Sequence, residues 1–450
     1  MKSRVIALIA VLALVLAACT GDVAETSTTA APEEEPATTV AAEPTTTAAA
    51  EVTTTAAATE EDPLAAYGES TAADPALVEK ALGPVGEVPD IVLASIARAS
   101  QDLDQATIDK AMECFTNAVE CDTGTGGEVI MGYADGGGLN VWRQVTRMEA
   151  ILQALTYPEI GTMVFRDAQW STDPAVPIGD INYMVERGVT FIIGYPDWGV
   201  ALGDAIKAAE AAGIPYVPYS AGWVGLPGQD GALTPGTDYL SIVGEELCAL
   251  GESFAGIINE GVGEGQIGVL GGTPGNALSL GWQQCHIPAL APGVEVINPP
   301  ADPNSTTGDT YWANDIARDV VSGFLSTNPD IAGFSYEYAD GLYTALEGVE
   351  IDEMTLAIRT DEQTLFCDWA ERNNPNYHIW YSAGGNFQSR TAVTAQMMNL
   401  QGAEVPAEIV VPHVMREVTA ADCNPDRVTP TVSNTSLVPD SVLALMYPEG

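Results

Sequence analysis

The residues best suited to chemistry are aromatic and acidic, and they stand where strands should end. Tyr195, Asp197 and Trp198 follow the apolar run Val189–Ile193, and Ser220 and Trp223 follow Tyr216–Tyr219. Asn140 and Trp142 lie beyond Val129–Tyr133, and Asp167 lies beyond Gly161–Phe165; the same loops carry Asp135 and Trp170. In the second half of the chain Asn276, Trp282, Glu337, Tyr338, Arg359, Asp361 and Tyr381 occupy equivalent places. Flat aromatic faces beside amide, carboxylate and guanidinium groups suit a polyhydroxylated ligand. The rings stack on its CH faces, and each planar group bonds a pair of hydroxyls. Several of these residues also have a structural reading. Asp167 and Asp197 could cap the segments that follow them, Glu337 could be solvated rim charge, and any Trp or Tyr could be a partly buried wall residue.

Alternating strands and helices must position these groups. Within Ile181–Ser220, Val189–Ile193 has strand length, and Leu202, Ile206 and Ala209 recur at helical spacing. Gly213 then ends the helix and Pro215 precedes the next strand. This is one right-handed βαβ unit, with both strands ending on one rim, where open parallel sheets bind ligands. The pattern predicts strands over Val129–Tyr133, Gly161–Phe165, Val189–Gly194 and Tyr216–Tyr219, and helices over Asn140–Leu155, Ala175–Arg187 and Val200–Ala212. A second α/β series opens with a long helix over Tyr239–Glu260. It continues through strands at Gln266–Leu270, Val294–Ile297, Ile331–Tyr336, Met354–Ile358 and His378–Tyr381. Its other helices are expected over Asn276–Ile287, Tyr311–Ser326, Asp340–Leu346 and Gln363–Arg372, followed by a helix over Asn386–Leu400 and a strand over Glu408–Val414. Leu64–Asp122 is helical in pattern and reads as an appended segment.

The chain termini and the composition bound the setting. Lys2 and Arg4 precede the apolar stretch Val5–Val15, and Leu16-Ala17-Ala18-Cys19 resembles a bacterial lipobox, which implies lipid attachment at Cys19. Residues 20–62 contain no Lys, Arg or aromatic side chain, and a Thr/Ala/Glu/Pro stretch of this kind should form a disordered stalk. A formal charge of −46, from 16 Lys+Arg against 62 Asp+Glu, excludes nucleic-acid binding. Six cysteines follow Cys19: Cys114, Cys121, Cys248, Cys285, Cys367 and Cys423. In an oxidising compartment they suit up to three disulfides, in sequential order or another connectivity. None has metal or redox spacing. The histidines, His286, His378 and His413, lie far apart. The glycine runs near 124 and 261 precede strands, the wrong order for a dinucleotide. No metal and no cofactor is implied.

Ile181–Ser220, the glycine-rich Gly271–Asn276 and the segment Asn328-Pro329-Asp330-Ile331 with Asp340-Gly341 and Ala345-Leu346 resemble, in order and spacing, the ribose-type periplasmic sugar-binding proteins. The resemblance covers about residues 128–418. It implies an α/β fold of two doubly wound Rossmann-like lobes joined by a hinge, the type I periplasmic-binding-protein fold. The implied division is a signal peptide (1–18), the stalk (19–62), the helical segment (63–127), a first lobe (128–238 and 382–407), a second lobe (239–381 and 408–420) and a tail (421–450). It further implies a non-enzymatic, lipid-anchored, extracytoplasmic protein that binds a small molecule, a carbohydrate, for an ABC permease. Asn140-Val141-Trp142 occupies the place of an Asn-Pro-Phe-Trp-like element. Leu280 stands where the family often has arginine, and Glu337-Tyr338 where it often has asparagine. Other ligands of this fold remain open as alternatives, among them an amino acid, a nucleoside or a signalling molecule, as does a sensor role. The paired loop carboxylates leave an extracellular glycosidase as a further alternative.

Overall fold

A computed structural model describes residues 72–117, 119–138, 140–382, 385–425 and 434–448. The signal segment, Cys19 and the stalk lie outside the described residues. Three helices lead in: α1 (Pro75–Leu82), α2 (Asp90–Ala99) and α3 (Gln105–Thr116). The first lobe then runs β1 (Glu120–Asp122), β2 (Val129–Asp135), α4 (Val141–Leu155), β3 (Ile160–Asp167), α5 (Ala175–Arg187), β4 (Phe191–Tyr195), α6 (Gly203–Ala211) and β5 (Tyr216–Pro218). Its sheet has the order β1-β3-β2-β4-β5, and every pair is parallel except the short edge strand β1. That edge strand lies in the segment read from sequence as helical, and the Cys114–Cys121 disulfide ties it to α3.

The chain then passes through β6 (Ile242–Gly244) into α7 (Leu247–Val262), β7 (Gly265–Val269), α8 (Ala277–Ala289), β8 (Val294–Val296), α9 (Asn314–Thr327), β9 (Ile331–Tyr336), α10 (Ala339–Leu346), β10 (Met354–Ile358), α11 (Gln363–Arg372) and β11 (Tyr377–Tyr381). It returns through α12 (Gln388–Leu400), crosses again at β12 (Glu408–Val410), adds β13 (Arg416–Glu417) and ends with α13 (Asp440–Met446). The second sheet has the order β13-β11-β10-β9-β7-β8, parallel except for β13. The order β3-β2-β4-β5 in one lobe matches β8-β7-β9-β10 in the other, so the lobes are internal counterparts. Between them β6 and β12 pair in parallel as a two-stranded connection.

Two sequence expectations change here. The expected helix over Tyr239–Glu260 begins only at Leu247, because Ile242–Gly244 pairs with Glu408–Val410; Glu246 caps the helix through its carboxylate. Gly244 is required at that crossing, since a Cβ would lie 2.4 Å from Ala221. The strand expected to reach Val414 stops at Val410. The C-terminal segment packs onto the body of the fold. Leu437, Val438, Val442 and Leu443 are buried, and the Ser436 hydroxyl and the Leu437 and Val438 amides donate to the buried Glu149 carboxylate of α4. Disulfides Cys248–Cys285 and Cys367–Cys423 join α7 to α8 and α11 to the C-terminal segment, giving sequential pairing throughout.

Candidate functional site

The carboxyl ends of the two parallel sheets face each other, and the site forms between them. In the first lobe β2 ends at Asp135, and a glycine loop leads into α4, whose cap is the Asn140 carboxamide accepting from the Arg143 amide at 2.9 Å. This turn sends Arg143 back toward the strand ends. Its guanidinium bonds Asp135 and is gripped by Asp197, at 2.5 Å and 3.1 Å. Gly137 makes room, since a Cβ there would stand 2.9 Å from that guanidinium. Burial raises the carboxyl pKa of both acids, Asp197 to about 7, and Arg143 opposes the shift. The guanidinium also lies 5.1 Å from the Tyr195 ring centre and 5.6 Å from that of Trp312, within cation–π range.

In the second lobe Glu337 follows β9 and is almost fully buried. One of its oxygens accepts from Ser279 and from the Trp312 indole at 3.2 Å; the other accepts from the Trp282 indole at 2.8 Å. Arg359 follows β10 and donates to Ser220 of the first lobe at 2.8 Å and to Glu245 beside the hinge at 2.9 Å. Trp312 is held by consecutive left-handed residues, Tyr311 (φ 54°) and Trp312 (φ 52°), with its indole on Gly272. The lobes also meet directly. The Asn276 amide donates to the Asp197 carbonyl at 2.9 Å, the Tyr195 hydroxyl donates to Asn276 at 3.4 Å, and Asn140 donates to the Trp312 carbonyl at 3.3 Å.

These groups line a small pocket between the lobes. Of the residues singled out from sequence, Asn140, Trp142, Tyr195, Ser220, Glu337, Tyr338 and Arg359 line it. The others have different places. Asp197 lies behind Arg143, Asn276 caps α8 and clasps the lobes, and Trp282 is buried as a donor to Glu337. Asp167 accepts from the Gln169 amide to shape a turn, and Trp198 packs against the core around Leu202 and Ile206. Trp223 lines a separate groove near Cys248, Asp361 holds Thr435, and the Tyr381 hydroxyl donates to Asp422. Each is drawn away because its polar atoms or ring found a partner within the fold.

Sequence reasoning missed Arg143, Trp312, Leu278 and Thr360, which also line the pocket. Arg143 left a signal: with Arg147 it falls on the same helical face as Ala150 and Ala154, where an unpaired cation would be costly. Trp312 left none, because it read as the first turn of α9. No arginine occupies the place of Leu280, which is buried; an arginine enters the pocket from α4 instead.

Glu337 carries a pH-dependent cost. Burial pushes its carboxyl up to about 7 from an ordinary value of 4.5, against the lowering bonds from Ser279 and Trp282. Between those values the folded chain holds a proton that the unfolded chain has released, so stability falls as pH rises through this window and levels off above it. Glu337→Gln should remove that dependence. In urea unfolding, the variant-minus-parent stability should shift by on the order of 2 kcal/mol in the variant's favour between pH 5 and pH 8. A difference that does not change with pH would contradict this origin.

Residues 135–354 match a family described as a periplasmic binding protein domain. Among solved structures, an ABC transporter solute-binding protein from Agrobacterium vitis with bound D-fucose is similar at a TM-score of 0.55 and 17% identity, covering 67% of this chain and 99% of its own. One from Bacillus halodurans with bound myo-inositol gives a TM-score of 0.52 at 19% identity, covering 65% and 96%. The fructose-binding periplasmic domain of a hybrid two-component system gives 0.52 at 18% identity, covering 65% and 92%. No curated protein matches in sequence. The fold is the type I periplasmic-binding-protein fold, and the chain is similar to ribose-type periplasmic sugar-binding proteins.

Proposed function

We propose that this chain, built on the type I periplasmic-binding-protein fold, is an extracytoplasmic receptor. In this reading it is lipid-anchored through Cys19, captures a neutral sugar or polyol between its lobes and delivers it to an ABC permease. The observation that carries the reading is the meeting of Glu337, Arg143 and Arg359 with Trp142, Tyr195 and Trp312 in one enclosed pocket. A carboxylate and two guanidinium edges offer paired acceptors and donors for vicinal hydroxyls, and the rings offer platforms for CH faces.

Charge argues against a free carboxylate ligand. Arg143 is already shared by Asp135 and Asp197, Arg359 is paired with Glu245, and among the described residues no cation bonds Glu337. Among the described residues that line the pocket, an amino acid would therefore find no unneutralised cation for its carboxylate. The solved relatives described with D-fucose and myo-inositol support the polyol class. Capture needs no covalent step: the ligand adds bonds to both lobes and so favours the closed form over an open one. A second reading, a receptor that signals to a membrane sensor, is favoured by the similarity to the fructose-binding domain of a two-component system.

Calorimetry and thermal unfolding with a panel of neutral monosaccharides and inositols, alongside amino acids and nucleosides, test the ligand class. At least one neutral polyol should bind and raise the melting temperature, since a ligand at 100 times its Kd adds about 2.7 kcal/mol. Binding confined to amino acids or nucleosides would overturn the assignment.

A further inference from the structure

Trp312 has a counterpart in the first lobe that the pocket does not use. The loops after β3 and after β8 are equivalent in the paired sheet orders, and each presents a tryptophan from two consecutive left-handed residues. In the first lobe these are Gln169 (φ 47°) and Trp170 (φ 60°). Each indole lies on a glycine of the equivalent neighbouring loop: a Cβ would stand 2.0 Å from Trp312 at Gly272, and 2.1 Å from Trp170 at Gly138. Non-glycine residues in this region carry a conformational cost, and here it is met twice in succession. Trp312 is 5% exposed and touches the inner pocket, whereas Trp170 is 41% exposed and faces a second, outer cleft.

That cleft borders the inner pocket. It borders about 1040 Å³ of open space, and Asn140, Trp312 and Tyr338 line both. The seam between the two is closed by the Asn140 bond to the Trp312 carbonyl, at 3.3 Å one of the longer links between the lobes. Ile316, 37% exposed, adds an apolar patch on the α9 side. The buried Asn314 carbonyl oxygen in the same wall has no hydrogen-bond partner, its amide being taken by Asp340 at 2.8 Å. An exposed indole platform facing an apolar side chain across the cleft suits the CH face of a sugar ring.

We propose that the outer cleft is a second sugar subsite. It takes the next ring of a disaccharide or glycoside whose first ring fills the inner pocket, with the linkage passing the Asn140–Trp312 seam. This proposal rests on the reading of the inner pocket as a sugar site. The occupant is a glycan ring because the cleft adjoins that pocket across the Asn140–Trp312 seam and continues its pattern of tryptophan beside amide.

The test is calorimetry of the full chain with monosaccharides, their methyl glycosides and the corresponding disaccharides, on the parent, Trp170→Ala and Ile316→Ser. At least one disaccharide should bind about tenfold more tightly than its monosaccharide. Trp170→Ala should erase that advantage while leaving monosaccharide affinity within about twofold, a difference below about 0.4 kcal/mol. Ile316→Ser, which leaves the Gly138 loop untouched, should reduce the advantage in the same direction. Disaccharide affinity unchanged in both variants, or disaccharides excluded while monosaccharides bind, would overturn the outer subsite and leave the inner one standing. If no carbohydrate binds at all, both readings fall.

Discussion

Arg143→Ala is expected to reduce ligand affinity at least 100-fold and to make the fold markedly less stable at pH 8 than at pH 5. The guanidinium lines the pocket and is the only cation bonded to Asp135 and Asp197 among the described residues. Truncating one member of a buried, hydrogen-bonded charge set costs about 2–5 kcal/mol, much of it from leaving the partner charges unpaired. Here two carboxylates would be left together. Burial already raises both acids, and removing Arg143 takes away the main force that lowers them. The folded variant would then hold protons that the unfolded chain releases near pH 4, so its stability falls as pH rises. Urea unfolding of parent and variant at the two pH values, with calorimetry on any ligand found by the polyol panel, measures both effects. Equal losses of stability at pH 5 and pH 8, or an unchanged affinity, would refute this role.

The second large effect concerns Glu149. Its carboxylate bonds the buried Arg390 on one oxygen; the other accepts from Ser436 at 2.8 Å, from the Leu437 amide at 2.6 Å and from the Val438 amide at 3.2 Å. One side chain therefore joins α4, α12 and the C-terminal segment. Glu149→Ala should destabilise the fold by about 3–5 kcal/mol, as breaking a buried ion pair does when the partner charge stays behind. Gln153, which accepts from Arg390 at 3.1 Å, is too little to replace it. The paired replacement Glu149→Met with Arg390→Met should cost less than Glu149→Ala alone, because no charge is left stranded. Chemical denaturation measures both variants. A loss under about 1 kcal/mol for Glu149→Ala would mean that the C-terminal segment is held by its apolar contacts alone.

Much of the fold was legible. α5, α11, β9 and β10 begin and end where the pattern places them, with Gly188 (φ 71°) and Asn373 (φ 46°) in left-handed backbone closing the two helices. These elements carry their own stop signals and a clear hydrophobic period. The stretch 239–260 misled for the opposite reason. Its apolar residues run straight into α7, and only pairing with β12, more than 160 residues away, makes Ile242–Gly244 a strand. The C-terminal segment was illegible in the same way, since Ser436–Val438 is ordered by an acceptor on α4.

By itself the sequence determined the doubly wound α/β class and the loops in which a ligand site had to lie. Those follow from local periodicity and from the rule that parallel strands end on one rim. Which side chains reach the ligand was decided only by the tertiary structure. Trp282 and Asp197 were plausible contacts by type, yet each is turned inward to hold a group that does face the pocket, Glu337 and Arg143 respectively. A buried carboxylate or guanidinium must be satisfied before it can serve a ligand, and its partners come from whichever element folding brings alongside. Trp170 has the same cause in reverse. Its loop repeats the geometry of Trp312, but only the packing of the two lobes leaves one indole enclosed and the other exposed at the outer cleft.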